Sequence, residues 1–193
     1  MGVLVEDTRQ QIHDGDKHGV KHGWWTAHGV EVVRRKLDFG DYAAEGSNVY
    51  VDTKQHIGEL ASNLGRDHDR FRREIARANA AGCLLVVLVE TDDATCIEDV
   101  RGWVNGHCRY CNRLYSKACD PMAGGTCMRH GTKKPLQGPT LFEQMSTMQK
   151  TRSVRFEFVE PERSAERICE LLGVRYEKAE AQVPREDFHE DIR

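Results

Sequence analysis

The chain has no long hydrophobic run. Its longest apolar stretch, CLLVVLV at residues 83–89, falls far short of the roughly 20 residues that cross a bilayer, which disfavours a membrane protein. It also lacks a secretory signal: MGVLVEDTRQ has no basic flank and only a brief apolar segment. A strong net charge is missing too. Lys and Arg total 28 against 31 Asp and Glu, a formal −3, so any nucleic-acid surface has to be local. No internal repeat or low-complexity tract is found, which removes repeat architectures. A disulfide framework is equally disfavoured, because the seven cysteines are odd in number and no export signal accompanies them. The expectation is an intracellular, cytoplasmic protein in a reducing compartment.

What is present suffices for a folded domain. At 193 residues and 39% hydrophobic content, the chain fits one domain with a modest insertion. Charge locates that insertion. Residues 101–134 hold seven basic residues against Asp120 alone, a local +6 that leaves −9 for the rest. Four of the seven cysteines fall in the same stretch, and the other three, Cys83, Cys96 and Cys169, read as buried small hydrophobes. The expected organisation is a core whose first part spans 1–100, a basic Cys/His insertion at 101–134, a completing strand and helices at 135–177, and a polar tail at 178–193.

Periodicity supplies the elements. VLVE at 3–6 reads as a short strand, and the Gly- and His-rich stretch 11–29 as a poor helix or ordered loop anchored by Trp24 and Trp25. A β-like stretch from Val30 continues through Leu37 and Phe39 to Tyr42, then turns at 45–48 into the alternating strand NVYVDTK. Ile57, Leu60 and Leu64, then Phe71, Ile75 and Ala78, predict two helices or one bent helix over 56–80. LLVVLVE at 84–90 reads as a strand buried on both faces. Thr140 and Glu143 behind Pro139 suggest a capping box opening a helix lined by Leu141, Met145 and Met148. A strand over 154–158 and a last helix opened by Pro161 and closed by Gly173 complete an α/β order.

The hairpin carries the chemistry. In a strand, Asp52 and Lys54 share one face with Cα atoms about 6–7 Å apart. Two carboxylates, Asp41 and Asp52, make a hard oxygen site for Mg2+ or Mn2+, the ions that polarise a phosphodiester and activate water. Lys54 positions or deprotonates that water, or offsets charge on the phosphorus oxygens. Simple alternation sends Asp41 to the apolar side of Leu37 and Phe39, so Gly40 has to bend the chain.

Asp7-Thr8-Arg9, Gly40-Asp41-Tyr42, Val51-Asp52-Thr53-Lys54, Glu59-Leu60, Gly65-Arg66 and LLVVLVE occur in that order. In this order the motifs resemble the XPF-type nucleases of the PD-(D/E)XK superfamily over residues 3–90. The resemblance implies a restriction-endonuclease-like mixed central sheet flanked by helices and a metal-dependent DNA endonuclease, structure-selective for flaps or junctions. It implies Asp41 and Asp52 as ligands of Mg2+ or Mn2+, Lys54 as the catalytic lysine, and Asp7, Arg9 and Glu59 as further site residues. The chain departs from the family at Asp52-Thr53, where Glu-Arg is usual, and Glu59 lies one residue further from Lys54 than the family's acid. The paired helix-hairpin-helix domain that often follows this nuclease is not found in the sequence, so a homodimer, or a partner supplying a DNA-binding domain, is the corresponding expectation.

Cys108-x2-Cys111 and Cys127-x2-His130 have the spacing of structural zinc ligands, with Cys119 or His107 as substitutes. Zn2+ would order a segment poor in apolar residues. Arg66, Arg70, Arg73, Lys133 and Lys134 are candidate contacts to DNA phosphates, and Tyr110, Tyr115 and Trp103 candidate stacking partners. Two rival readings stand beside the nuclease: a non-catalytic nucleic-acid-binding protein that keeps the scaffold, and a zinc lobe that binds a protein partner.

Overall fold

The structure, a computed structural model, describes residues 2–10, 17–111, 119–120, 122–127 and 129–177. Tyr115 and the polar tail at 178–193 lie outside these residues. Six strands form one sheet: β1 Leu4–Glu6, β2 Val32–Arg34, β3 Tyr42–Ala44, β4 Val49–Lys54, β5 Leu84–Glu90 and β6 Val154–Val159. Their order is β2-β1-β3-β4-β5-β6. β1 pairs parallel with β2, β4 with β5 and β5 with β6, while β3 runs antiparallel to both β1 and β4. Five strands therefore share one direction and β3 alone opposes them. The C-terminal ends of β1, β4 and β5 and the N-terminal end of β3 consequently meet at one edge of the sheet, the usual place for a ligand in an α/β fold.

Helices cover both faces. α2 Ile57–Leu64, α3 His68–Ala80 and α5 Gly138–Thr151 pack on one side; α1 Lys17–Ala27 and α6 Ser164–Leu172 pack on the other. The alternation of β5 shows why. Leu85, Val87 and Val89 enter the first core, Val86 and Leu88 the second, and all five side chains are fully buried. Gly65 divides α2 from α3, as its place in the periodicity predicts, and its N–H closes α2 on Ala61 O at 2.9 Å.

Three expectations need correction. The stretch from Val30 to Tyr42 is not one strand: β2 ends at Arg34 and lies beside β1, and β3 begins only at Tyr42. The chain between them leaves the sheet because Leu37 and Phe39 bury themselves in separate clusters. The capping box at Thr140 does not form. α5 starts at Gly138 behind Gln137 without a side-chain cap. Close packing sets that start, since a Cβ on Gly138 would lie 2.3–2.7 Å from the carbonyl oxygens of Val100, Trp103 and Arg101. Cys96, expected to be a small core residue, is exposed; its N–H donates to Asp99 Oδ2 at 3.1 Å in a capped loop.

The stretch between β5 and α5 holds α4, Gly106–Arg109, and an isolated bridge between Thr126 and Lys133. It leaves and rejoins the rest of the chain at one neck. There Asn105 N–H donates to Gln137 Oε1 at 3.0 Å, and Asn105 Nδ2 to Leu136 O at 3.3 Å.

Candidate active site

A polar cleft of about 520 Å³ opens at the edge where the strand ends meet. Asp7, Arg9, Asp41, Asp52, Lys54, Glu59, Arg70 and Arg73 all line it. Chain pairing explains the convergence. Gly40 has φ +58°, a left-handed turn that side chains with a Cβ resist. This turn lets Asp41 N–H donate to Val51 O at 2.8 Å while Asp41 swings out of the Leu37 and Phe39 side into the cleft. Thr53, at the position where the family carries Arg, then orients the carboxylate. Its N–H and Oγ1 donate to Asp41 Oδ2 at 2.8 and 2.7 Å.

Asp52 and Lys54 follow on β4, both 6% exposed. Lys54 Nζ lies 2.6 Å from Asp52 Oδ2. Burial pushes the Asp52 carboxyl up to about 7; Lys54 pulls it down, and the Asp41 and Glu74 charges add to the rise. Burial alone would lower the Lys54 pKa. The facing Asp52 and Asp41 carboxylates more than reverse this, so its net shift is upward. The buried Asp52 Oδ2 faces the Lys54 ammonium and, among the described residues, no other donor. A buried carboxylate oxygen in that state, beside a second carboxylate on the same hairpin, fits a hard divalent cation.

Asp7 and Glu59 are more committed to local structure. Asp7 Oδ1 accepts Arg9 N–H at 2.7 Å, its Oδ2 accepts Leu37 N–H at 3.2 Å, and the Arg9 guanidinium pairs with the carboxylate. Burial works to raise the Asp7 pKa, but these bonds outweigh it and the net shift is downward. Asp7 N–H also donates to Asp41 O at 2.8 Å, so the end of β1 steadies the backbone that carries Asp41. Glu59 Oε2 accepts Gln55 N–H at 2.8 Å while Glu59 N–H donates to His56 Nδ1 at 3.0 Å, a reciprocal cap on α2.

Sequence reasoning gave Glu74 and Lys21 no role in the cleft, and Arg77, read only as part of the basic α3 set, lines it too. Glu74 Oε1 accepts Gly40 N–H at 3.3 Å and so holds the turn from the α3 side. Arg70, Arg73, Glu74 and Arg77 recur at helical spacing, a signal that was open to reading as one α3 face. Lys21 of α1 is buried and ion-paired with Glu90 at the end of β5; Ser164 Oγ also donates to Glu90, at 2.6 Å. No periodic pattern in the sequence announces that pair.

The basic calls outside the cleft divide. Arg66 does not line it; its side chain is 83% exposed beside Asp67. Lys134 Nζ donates to Asp120 O and Ala123 O at 2.6 and 3.3 Å and thus braces its own loop. Lys133 is exposed at the isolated bridge. In the cysteine stretch, Cys108 is buried and Gln137 Nε2 lies 3.2 Å from its sulfur. Burial raises the Cys108 pKa, Gln137 opposes this, and neighbouring Cys119, Cys127 and Cys111 add to the rise. His107 and His130 are exposed. Among the described residues, no three His, Cys, Asp or Glu side chains form a ready metal-holding group. No described helix is long and apolar enough to cross a membrane.

No family model matches the chain, and no curated protein matches it in sequence. Among solved structures, XPF from Aeropyrum pernix matches with a TM-score of 0.52 at 16% identity, over 94% of this chain and 67% of that one. At that identity the likeness concerns the fold alone: the chain has an XPF-like nuclease fold, a mixed α/β sheet flanked by helices.

Proposed function

We propose that this protein is a metal-dependent endonuclease that hydrolyses DNA phosphodiester bonds. The observation that carries the reading is the meeting of Asp41, Asp52 and Lys54 in one cleft beside Arg70, Arg73 and Arg77. Asp41 and Asp52 would hold Mg2+ or Mn2+. When bound, the ion supplies polarisation of the phosphoryl oxygen and a more acidic water. Lys54 stays an ammonium at neutral pH because its pKa is raised, so it serves as a charged donor to a developing phosphoryl oxygen rather than as a base. The α3 arginines sit where a phosphate backbone would pass, and Glu74 and Thr53 keep the hairpin in place. Preference for flaps or junctions rests on the resemblance to XPF-type nucleases. The dimer or DNA-binding partner rests on it too.

The test is cleavage of linear, flap and four-way DNA with Mg2+ or Mn2+ and with chelator, repeated between about pH 6 and 8. Cutting is expected with either ion and absent with chelator. The pH series has a defined sign. Asp52 has a folded pKa raised from 3.8 to about 7, so a proton occupies the site below that value and the ion has to displace it. The Mg2+ concentration for half-maximal rate should therefore rise towards tenfold for each pH unit below about 7. Without metal, the stabilising contribution of this group is full below its ordinary value of 3.8 and is lost as pH rises through about 7. The rise in Tm on adding Mg2+ should accordingly be larger at pH 8 than at pH 6. Uncut substrates under every condition would leave the scaffold-only binding protein as the better reading.

Zinc is the structural ion we assign to the 101–134 stretch, with Cys108, Cys111, Cys127 and His130 as ligands and Cys119 or His107 as substitutes. The nearness of Cys119, Cys127 and Cys111 to the buried Cys108 thiol, and the Gln137 amide at its sulfur, support it. Elemental analysis of the purified chain should find stoichiometric zinc, and Cys108→Ser should lose it. Metal-free protein with an unchanged melting curve would remove zinc from the account.

A further inference from the structure

A second depression adjoins the cleft, and its chemistry differs. It is a groove of about 840 Å³ between the start of α2 and the cysteine stretch. α2 and the two residues before it form the shared wall. Gln55, Glu59 and Asn63 face the cleft, and His56, Gly58 and Ser62 face the groove. The far side of the groove carries Trp103, Arg109, Tyr110 and Arg129, with Asp93 the single carboxylate among the described residues of its lining. Arg109 and Arg129 come from opposite ends of the cysteine stretch, so the fold of that stretch is what brings them together.

Tyr110 is 83% exposed, unusual for a large aromatic ring. It caps the C-terminal end of α4, next to Arg109. Exposed rings beside guanidinium groups match the two needs of an unpaired nucleotide: a flat surface for the base and a cation for the phosphate. A duplex cannot use the ring, because its bases already stack on one another. α2 and the two residues before it line both the groove and the cleft, so a strand held in the groove can pass over α2 into the cleft.

We infer that this groove is a subsite for an unpaired DNA strand, with Tyr110 and Trp103 stacking bases and Arg109 and Arg129 holding phosphates. The inference rests on the nuclease reading for its occupant and names the substrate feature that reading leaves open: a single-stranded arm beside the cut.

Binding measured in chelator separates the two. The probe is a fluorescein-labelled oligothymidylate of about 12 nucleotides, within the site size such grooves cover. Wild type should bind it more tightly than a blunt duplex of equal length. Tyr110→Ala should weaken oligothymidylate binding on the order of tenfold, as expected for one lost stacked base. Arg109→Ala combined with Arg129→Ala should flatten the salt dependence by roughly 0.7 in log–log slope for each phosphate released. An iodouracil-substituted oligonucleotide should crosslink to Tyr110 in the wild-type chain, which needs no variant to fold. The subsite is overturned if Tyr110→Ala and the double variant bind as wild type, or if the crosslink maps elsewhere. Expected binding with no cutting under any metal would sink the nuclease reading alone; cutting with a silent Tyr110→Ala would sink the subsite alone.

Discussion

Asp41→Asn and Lys54→Met should each lower Mg2+-dependent cleavage by about 10²–10³-fold, the usual scale for removing one fixed charge from a site that stabilises a transition state. The two variants reach that loss by different routes. Asp41→Asn keeps the size of the side chain and an oxygen that still accepts from Thr53, but it removes one of two carboxylates facing the ion. Its defect should shrink as Mg2+ is raised. Lys54→Met fills the same buried volume near the Phe71 ring and deletes the ammonium. Asp52 then loses the charge that holds its pKa down and takes up a proton more readily. Neutralisation spares the core an unpaired charge, so the variant should stay folded while remaining inactive. Single-turnover cleavage over a Mg2+ series, with thermal melts alongside, checks both. If both variants cut like wild type at saturating Mg2+, the hairpin is not the catalytic centre.

Gly40→Ala should be the most damaging small substitution near the site. At φ +58° a methyl group would lie 2.7 Å from Val51 O, the oxygen that accepts Asp41 N–H. The left-handed backbone costs about 1–2 kcal/mol for a residue with a Cβ, and relieving the contact adds about 1–3 kcal/mol. Moving Val51 or turning Gly40 shifts Asp41, and a misplacement of about 1 Å can cost on the order of 10²-fold in rate. Gly46→Ala is the control. Its φ is +76°, but the added methyl meets open space at the hairpin tip, so only the backbone cost remains. Denaturant unfolding and cleavage by both variants decide the matter. Equal stability and equal activity in the two would mean that the Gly40 turn does not aim Asp41.

Much of this architecture was readable before any coordinates. β5 announced itself through a continuous apolar run ended by Glu90, and α2 and α3 through 3.6-residue spacing interrupted at Gly65. Local pattern dominates in such elements. Where tertiary contacts decide, the sequence was less informative. β2 pairs with β1 across the crossover that holds α1 and separates from β3, and the alternation over 30–42 carries no trace of that break. Gly138 starts α5 because three carbonyl groups of a distant turn press on it. At the site, Asp41, Asp52 and Lys54 were legible as an ordered motif, and the bend at Gly40 followed from a conflict with simple alternation. Thr53, Glu74 and Lys21 were not, since each acts through a partner brought near only by folding.

The lone reversed strand has a consequence for how the protein reaches its working form. Because β3 and β4 are joined by a short turn, the segment bearing Asp41 and Asp52 closes on itself with little loss of chain entropy. Such short-range pairing is kinetically cheap, whereas docking β1 and α3 around it requires contacts from far along the polypeptide. Asp41 and Asp52 can thus be in register early in folding, while the remaining walls of the cleft arrive only with the completed domain.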